Sequence, residues 1–163
     1  VLGALLTLAV LGLGSAAGSR PATLVAAHRG GAALWAENSL LAFRNAIALG
    51  VDAIEFDLHM TADGEIVVLH DPTLERTTPG SGFLRDLRLA ELAPLRLKGP
   101  DGTVTSERIP TFAQVLDLVV ERPTSVELLP EIQVDGSLQR YAGIEEKVRA
   151  LLPRARSMFL VGR

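Results

Sequence analysis

"LVAAHRGGAALWAENSLLAFRNAIALGVDAIEFDLHMTADGEIVVLHD", residues 24–71, twice runs an apolar stretch into a histidine, at His28 and at His70. The first run, "ATLVAA" (22–27), suits a buried strand. "NSLLAFRNAIALG" reads as a helix, capped by Asn38 or Ser39, striped by Leu40, Phe43 and Ile47, and stopped at Gly50. "DAIEFDLHM" and "EIVVLHD" then read as two strands joined through "TADG", whose Asp63-Gly64 is a strong turn signal. The stretch therefore predicts strand, helix, strand, and a hairpin on the end of the second strand.

The rest of the chain continues the alternation. Residues 72–110 are rich in Pro, Gly and Arg and read as a long surface excursion. "PTFAQVLDLVVER" (110–122) is a second helix with Pro110 near its first position, and "SVELLPEIQV" is strand-like. "IEEKVRALLP" (144–153) is a third helix, and "SMFLVG" a last apolar strand. Strands and helices alternating at this spacing predict a parallel sheet with crossover helices. A doubly wound sheet and a (β/α)8 barrel both fit that pattern. No G-x-G-x-x-G follows the first strand, which argues against a dinucleotide.

Composition bounds the function. At 163 residues, 48% hydrophobic and 21% charged, the chain has the length and apolar content of one domain. A net charge of −3 with no basic stripe gives nucleic acid no electrostatic footing. The absence of cysteine excludes disulfides and Cys-based zinc sites, but not an exported location. Residues 1–18 carry no charge, yet they are marginal for a membrane span and are broken by Gly3, Gly12 and Gly14. Ser15 and Ala17 supply the small residues of a cleavage site, and the alternative of a buried core helix is disfavoured because no polar face exists at any helical period. The expectation is a signal peptide or apolar leader over 1–18, with its start lost before Val1, and a partial enzyme domain over 19–163. The protein would be exported, periplasmic or secreted, and would touch a membrane only through an uncleaved leader.

Placing Asp63-Gly64 at the centre of the turn sets Asp57 opposite His70. Glu55, Asp57, His59 and His70 would then share one face with Ile66 and Val68, leaving Leu58, Met60, Val67 and Leu69 on the other. Acids at i and i+2 of a strand project oxygens about 7 Å apart, which suits Mg²⁺ or Ca²⁺ better than zinc. Glu131, in "LLPEIQV", is the obvious third acid. The competing role for Glu55 and Asp57 is an ion pair with Arg29 or Arg76. His59 reads as a satisfied core residue or a solvent-facing one. His28-Arg29 and His70-Asp71 stand where a loop follows a strand, the usual place for chemistry.

"HRG…ENSLLAF…G…IEFDLHMTADGEIVVLHD…LERTT…PEIQ", from about Leu24 to Gln133, resembles the glycerophosphodiester phosphodiesterase family. The resemblance implies a (β/α)8 TIM-type barrel that hydrolyses glycerophosphodiesters to glycerol 3-phosphate and an alcohol with a divalent cation. It implies Glu55, Asp57 and Glu131 as metal ligands, His28 and His70 as the general acid/base pair, and Arg29 as the phosphate-binding arginine. Glu37, in the family's Glu-Asn motif, would act beside the metal or on it. The attacker it implies is the substrate's own neighbouring hydroxyl, through a cyclic phosphate, with water second. The residue types agree with that chemistry: a cation and an arginine offset charge on the phosphoryl oxygens, and imidazoles reach both protonation states near neutrality.

Two departures stand out. The family usually has Lys two residues after the third acid, where this chain has Gln133, an amide that can orient a ligand or bond a phosphate oxygen but adds no charge. Only about four barrel strands precede Arg163, whereas a full barrel takes about 250 residues, so the chain is expected to hold the N-terminal half to two-thirds of one. The alternatives are a related phosphodiesterase acting on a phospholipid headgroup, phospholipase D-like, and a non-catalytic remnant.

Overall fold

The computed structural model describes residues 23–121, 125–154 and 161–162; the leader at 1–18 and most of "SMFLVG" lie outside them. Strand β1 (Ala26–Ala27) is followed by helix α1 (Leu40–Leu49) and the long strand β2 (Ala53–Met60). The hairpin strand β3 (Ile66–Val68) comes next, then the short helix α2 (Leu89–Leu92) and a second hairpin, β4 (Arg96–Lys98) with β5 (Val104–Arg108). Helix α3 (Phe112–Val120), strand β6 (Glu127–Ile132), helix α4 (Ile144–Leu151) and strand β7 (Val161–Gly162) complete the described chain.

Strands β1, β2, β6 and β7 lie side by side, all parallel, in the order of the sequence. A doubly wound sheet reverses direction at a switch point; among the described residues this sheet keeps one direction of winding, as a barrel does. No helix among the described residues is long and apolar enough to cross a membrane.

The caps follow the local chemistry. The Ser39 hydroxyl accepts the Ala42 amide at the start of α1, and Gly50 ends the helix at φ +76. Thr111, one residue after Pro110, caps α3 and exchanges hydrogen bonds with Gln114. Phe43, Phe56 and Phe112, all fully buried, meet at centroid separations of 5.5 and 6.0 Å and fasten α1 and α3 to the outer face of β2.

Two expectations fail. Strand β3 pairs Leu58 with Val68 and Met60 with Ile66, so Asp57 lies opposite Leu69, whose amide donates to its carbonyl, and not opposite His70. The turn causes the slip. The Thr61 amide donates to the Glu65 carbonyl across three residues, and Gly64 takes φ +80. A three-residue loop of this kind shifts every pair by one position and exchanges the faces of β3. Ile66 and Val68 therefore join the main core, and Val67 and Leu69 turn to the side of Asp57 and His59. Residues 72–110 are also more than a surface excursion. Leu74, Leu84, Leu92, Leu97 and Ile109 are buried there and form a second apolar cluster with Val67 and Leu69. Prolines and glycines mask this in the sequence because its leucines are too scattered to show a period.

Candidate active site

The site lies where β1 ends. Ala27 pairs with Ile54, so Glu55 is the next residue of β2 up from the last rung of β1, and Asp57 pairs with Glu131 on β6. Strand β2 runs on past this level to pair with β3. Its acids thus sit at the rim although they are not at the strand's end. Glu55, Asp57 and Glu131 each bring one carboxylate oxygen within 4.8 Å of the others.

Backbone strain shapes the loop after β1. Arg29 (φ 51) and Asn38 (φ 58) both adopt the left-handed region, uncommon for residues with a Cβ, and the Asn38 amide donates to the Arg29 carbonyl at 3.0 Å. This turns the Arg29 amide onto Glu55 Oε2 at 2.9 Å and Asn38 Nδ2 onto Asp57 Oδ2 at 2.9 Å. Gln133 Nε2 donates to the other Asp57 oxygen at 2.6 Å. Asp57 is thus buried between two neutral amides, with Arg29 Nε 3.5 Å from Oδ2.

Arg29 also reaches Glu37 at 3.1 Å, and Arg76 grips both Glu37 oxygens at 2.8 Å while holding Asp71 at 2.5 and 3.0 Å. Of the two arginines expected as ion-pair partners for the strand acids, Arg29 approaches Asp57, whereas Arg76 serves Glu37 and Asp71. Asp71 Oδ1 in turn holds His70 Nδ1 at 2.6 Å. His28 stands apart from this chain, largely exposed, with Nε2 3.9 Å from Glu55 Oε2. His59 is fully buried, with Nδ1 2.7 Å from the Tyr141 hydroxyl and Nε2 2.9 Å from the His70 carbonyl.

The charges are set by these neighbours. Burial pushes the Glu55 carboxyl above the usual glutamate range, and Asp57 and Glu131 push it the same way, against the Arg29 amide and His28. Burial alone would also raise Glu37 and Asp71. Hydrogen bonds and charge from Arg76, helped by Arg29 at Glu37 and by His70 at Asp71, outweigh it and hold both below their ordinary values. Burial lowers His59, keeping the ring neutral, and raises the Tyr141 hydroxyl.

The donor set fits a hard divalent cation. Three carboxylates converge without sulfur or imidazole among them, and Asn38 Oδ1 is buried beside them with no hydrogen-bond partner. Sequence reasoning placed the three acids together, put Glu37 near them and allowed Gln133 to orient a ligand, but it missed Asn38 and the chain from His70 through Asp71 to Arg76. The adjacency of His70 and Asp71, and an arginine five residues further on, were the available signals for the His70–Asp71–Arg76 chain. Nothing in the sequence announced that Asn38 would leave the helix cap to Ser39 and face Asp57.

The model of the glycerophosphoryl diester phosphodiesterase family matches residues 28–156. A glycerophosphodiester phosphodiesterase from Caldanaerobacter subterraneus subsp. tengcongensis is 41% identical over 127 residues, covering 77% of this chain and 51% of the relative. A crystal structure of a protein from Agrobacterium tumefaciens superposes with a TM-score of 0.77 at 31% identity, over 86% of this chain and 56% of that one. A phosphodiesterase from Oleispira antarctica, solved with the product sn-glycerol-3-phosphate, gives a TM-score of 0.67 at 27% identity, over 86% and 56%. The chain spans about half the length of the curated relatives it matches.

Proposed function

Since the chain belongs to the glycerophosphoryl diester phosphodiesterase family, we propose that the protein hydrolyses glycerophosphodiesters to glycerol 3-phosphate and an alcohol at the rim of β1, β2 and β6. The observation that carries this reading is the convergence of Glu55, Asp57 and Glu131 within 4.8 Å, with His28 beside Glu55 and His70 tied through Asp71 and Arg76 to Glu37. Those three acids would hold a calcium or magnesium ion. When bound, such an ion offsets the negative charge of the phosphodiester.

The chain's own residues do the rest. Asn38 and Gln133 orient Asp57 by donating to its two oxygens, so its lone pairs point one way. Arg29, held by Glu37, adds fixed positive charge for the phosphoryl oxygens. His70 gives its Nδ1 proton to Asp71 as a hydrogen bond, which leaves Nε2 with the lone pair a general base needs. Nε2 takes the proton of the glycerol hydroxyl next to the phosphate as that oxygen bonds to phosphorus. The bond to the alcohol then breaks, and His28 protonates the departing oxygen. Water opens the cyclic phosphate with the two histidines in exchanged roles.

The test is release of glycerol 3-phosphate from glycerophosphocholine by the purified protein, set against lysophosphatidylcholine. Turnover of the soluble diester supports the reading. Turnover of the lysolipid alone would support the headgroup phosphodiesterase instead, and turnover of neither would support a non-catalytic remnant. We further propose export through the apolar leader at 1–18, tested by fusing it to a reporter that is active only outside the cytoplasm.

A further inference from the structure

We propose that His59 is a positioning residue for His70: its ring holds the His70 carbonyl from inside the hairpin, and the Tyr141 hydroxyl holds the ring. The inference rests on the reading of His70 as an acid/base group and extends it to a residue with no place in the reaction.

Acceptor chemistry fixes the first bond, and the second follows from it in a neutral ring. A carbonyl only accepts, so His59 Nε2, 2.9 Å from the His70 oxygen, must carry the proton. In the neutral ring Nδ1 is then a lone pair, and Tyr141 donates its hydroxyl proton to it at 2.7 Å. The two rings meet edge to face, at 86° with centroids 5.7 Å apart, and Tyr141 is itself buried. The chain of donors runs one way, from the turn before α4, through β2, to the loop that carries His70.

His70 needs such a bond because the hairpin stops short of it. The last bond of the hairpin on this side is the Leu69 amide to the Asp57 carbonyl. Beyond it the His70 carbonyl has lost the sheet, and His59 supplies the donor that a neighbouring strand would have given. On the far side, Asp71 holds His70 Nδ1. The catalytic imidazole is thus fastened at its main chain by one element and at its ring by another. An apolar residue in place of His59 would leave the buried Tyr141 hydroxyl without its acceptor and the His70 carbonyl without its donor, so the ring serves both groups at once and fixes where that carbonyl points.

The experiment compares His59→Phe, His59→Gln and Tyr141→Phe with His70→Ala in the intact protein. A misplacement of the base by a fraction of an ångström lowers kcat by about ten- to a hundredfold, and this is the loss expected for His59→Phe, with KM within about twofold. Glutamine keeps a donor for the carbonyl and an acceptor for Tyr141, so His59→Gln should recover most of that loss, which a purely space-filling role would not. Nitrogen-15 NMR of the ring should show a protonated Nε2 and a bare Nδ1, with Tyr141→Phe mixing the tautomers. If His70→Ala leaves kcat intact, the acid/base reading and this inference fall together. If His70→Ala is costly while a cooperatively melting His59→Phe keeps full kcat, this inference falls alone. Should His59→Phe not fold, a ring protonated at Nδ1 and bare at Nε2 overturns the proposal without any assay.

Discussion

Gln133 Nε2, one residue past the end of β6, donates to Asp57 Oδ1 at 2.6 Å, so the amide that stands where the family usually has lysine is tied to a strand carboxylate. Removing it leaves a buried carboxylate oxygen without its donor. Gln133→Leu should weaken the apparent affinity for the activating cation by about 10- to 100-fold, the usual effect of losing a partner of a ligand. Activity titrated against cation concentration reads this directly. Gln133→Lys keeps a donor and should weaken it less.

Chelation should abolish turnover, and a divalent cation should restore it. Glu55→Gln should prevent the restoration, since an amide cannot replace the charge of one of three crowded acids. Full activity in EDTA would remove the metal from the mechanism.

His28→Ala and His70→Ala should each lower kcat by about 10²–10⁴, the usual contribution of general acid/base catalysis. Asp71→Asn, which keeps an oxygen beside His70 Nδ1 but loses the charge, should fall between those variants and wild type. Steady-state kinetics on glycerophosphocholine distinguish these outcomes.

How much of this the sequence carried depends on whether a feature was local. The α1 caps, the Asp63-Gly64 turn and the alternation of strands and helices are local, and each appears where its residues place it. The hairpin register failed because a dipeptide marks where a turn lies, while loop length is set by how Thr61 closes on Glu65. Glu55 and Asp57 could be found because strand alternation carries them to one face, and Glu131 because its own strand and the family resemblance pointed to it. Asn38, Gln133 and Arg76 act across sequence separations of 19, 76 and 39 residues, and no period reaches that far.

Gly30 should not tolerate a side chain. It sits at φ +74, and an added Cβ would come 2.6 Å from the ring of Phe43, itself fully buried and unable to retreat. Left-handed strain and overpacking together predict that Gly30→Ala costs about 2–4 kcal/mol of stability. Denaturant unfolding of the two proteins measures it.

Acid should release the Arg76 cluster. Glu37 and Asp71 have depressed values when folded, so their contribution to stability is complete above their unfolded values and is lost as pH falls through the folded ones. Stability from this cluster should be full above about pH 5 and fall away below about pH 4. In Arg76→Met the two acids lose the main cause of depression, so the drop in thermal midpoint across that window should flatten. An unchanged slope would show that the cluster does not govern it.

The clasp between the Arg29 carbonyl and the Asn38 amide makes the intervening loop a closed ring hung on the barrel rim. Arg29, Glu37 and Asn38 sit at its neck; Ala33 and Leu34 are exposed at its crown. Whatever is written into the crown is therefore insulated from the acids below. Residues 33–34 are the place to splice a foreign peptide, an affinity tag or a fluorophore.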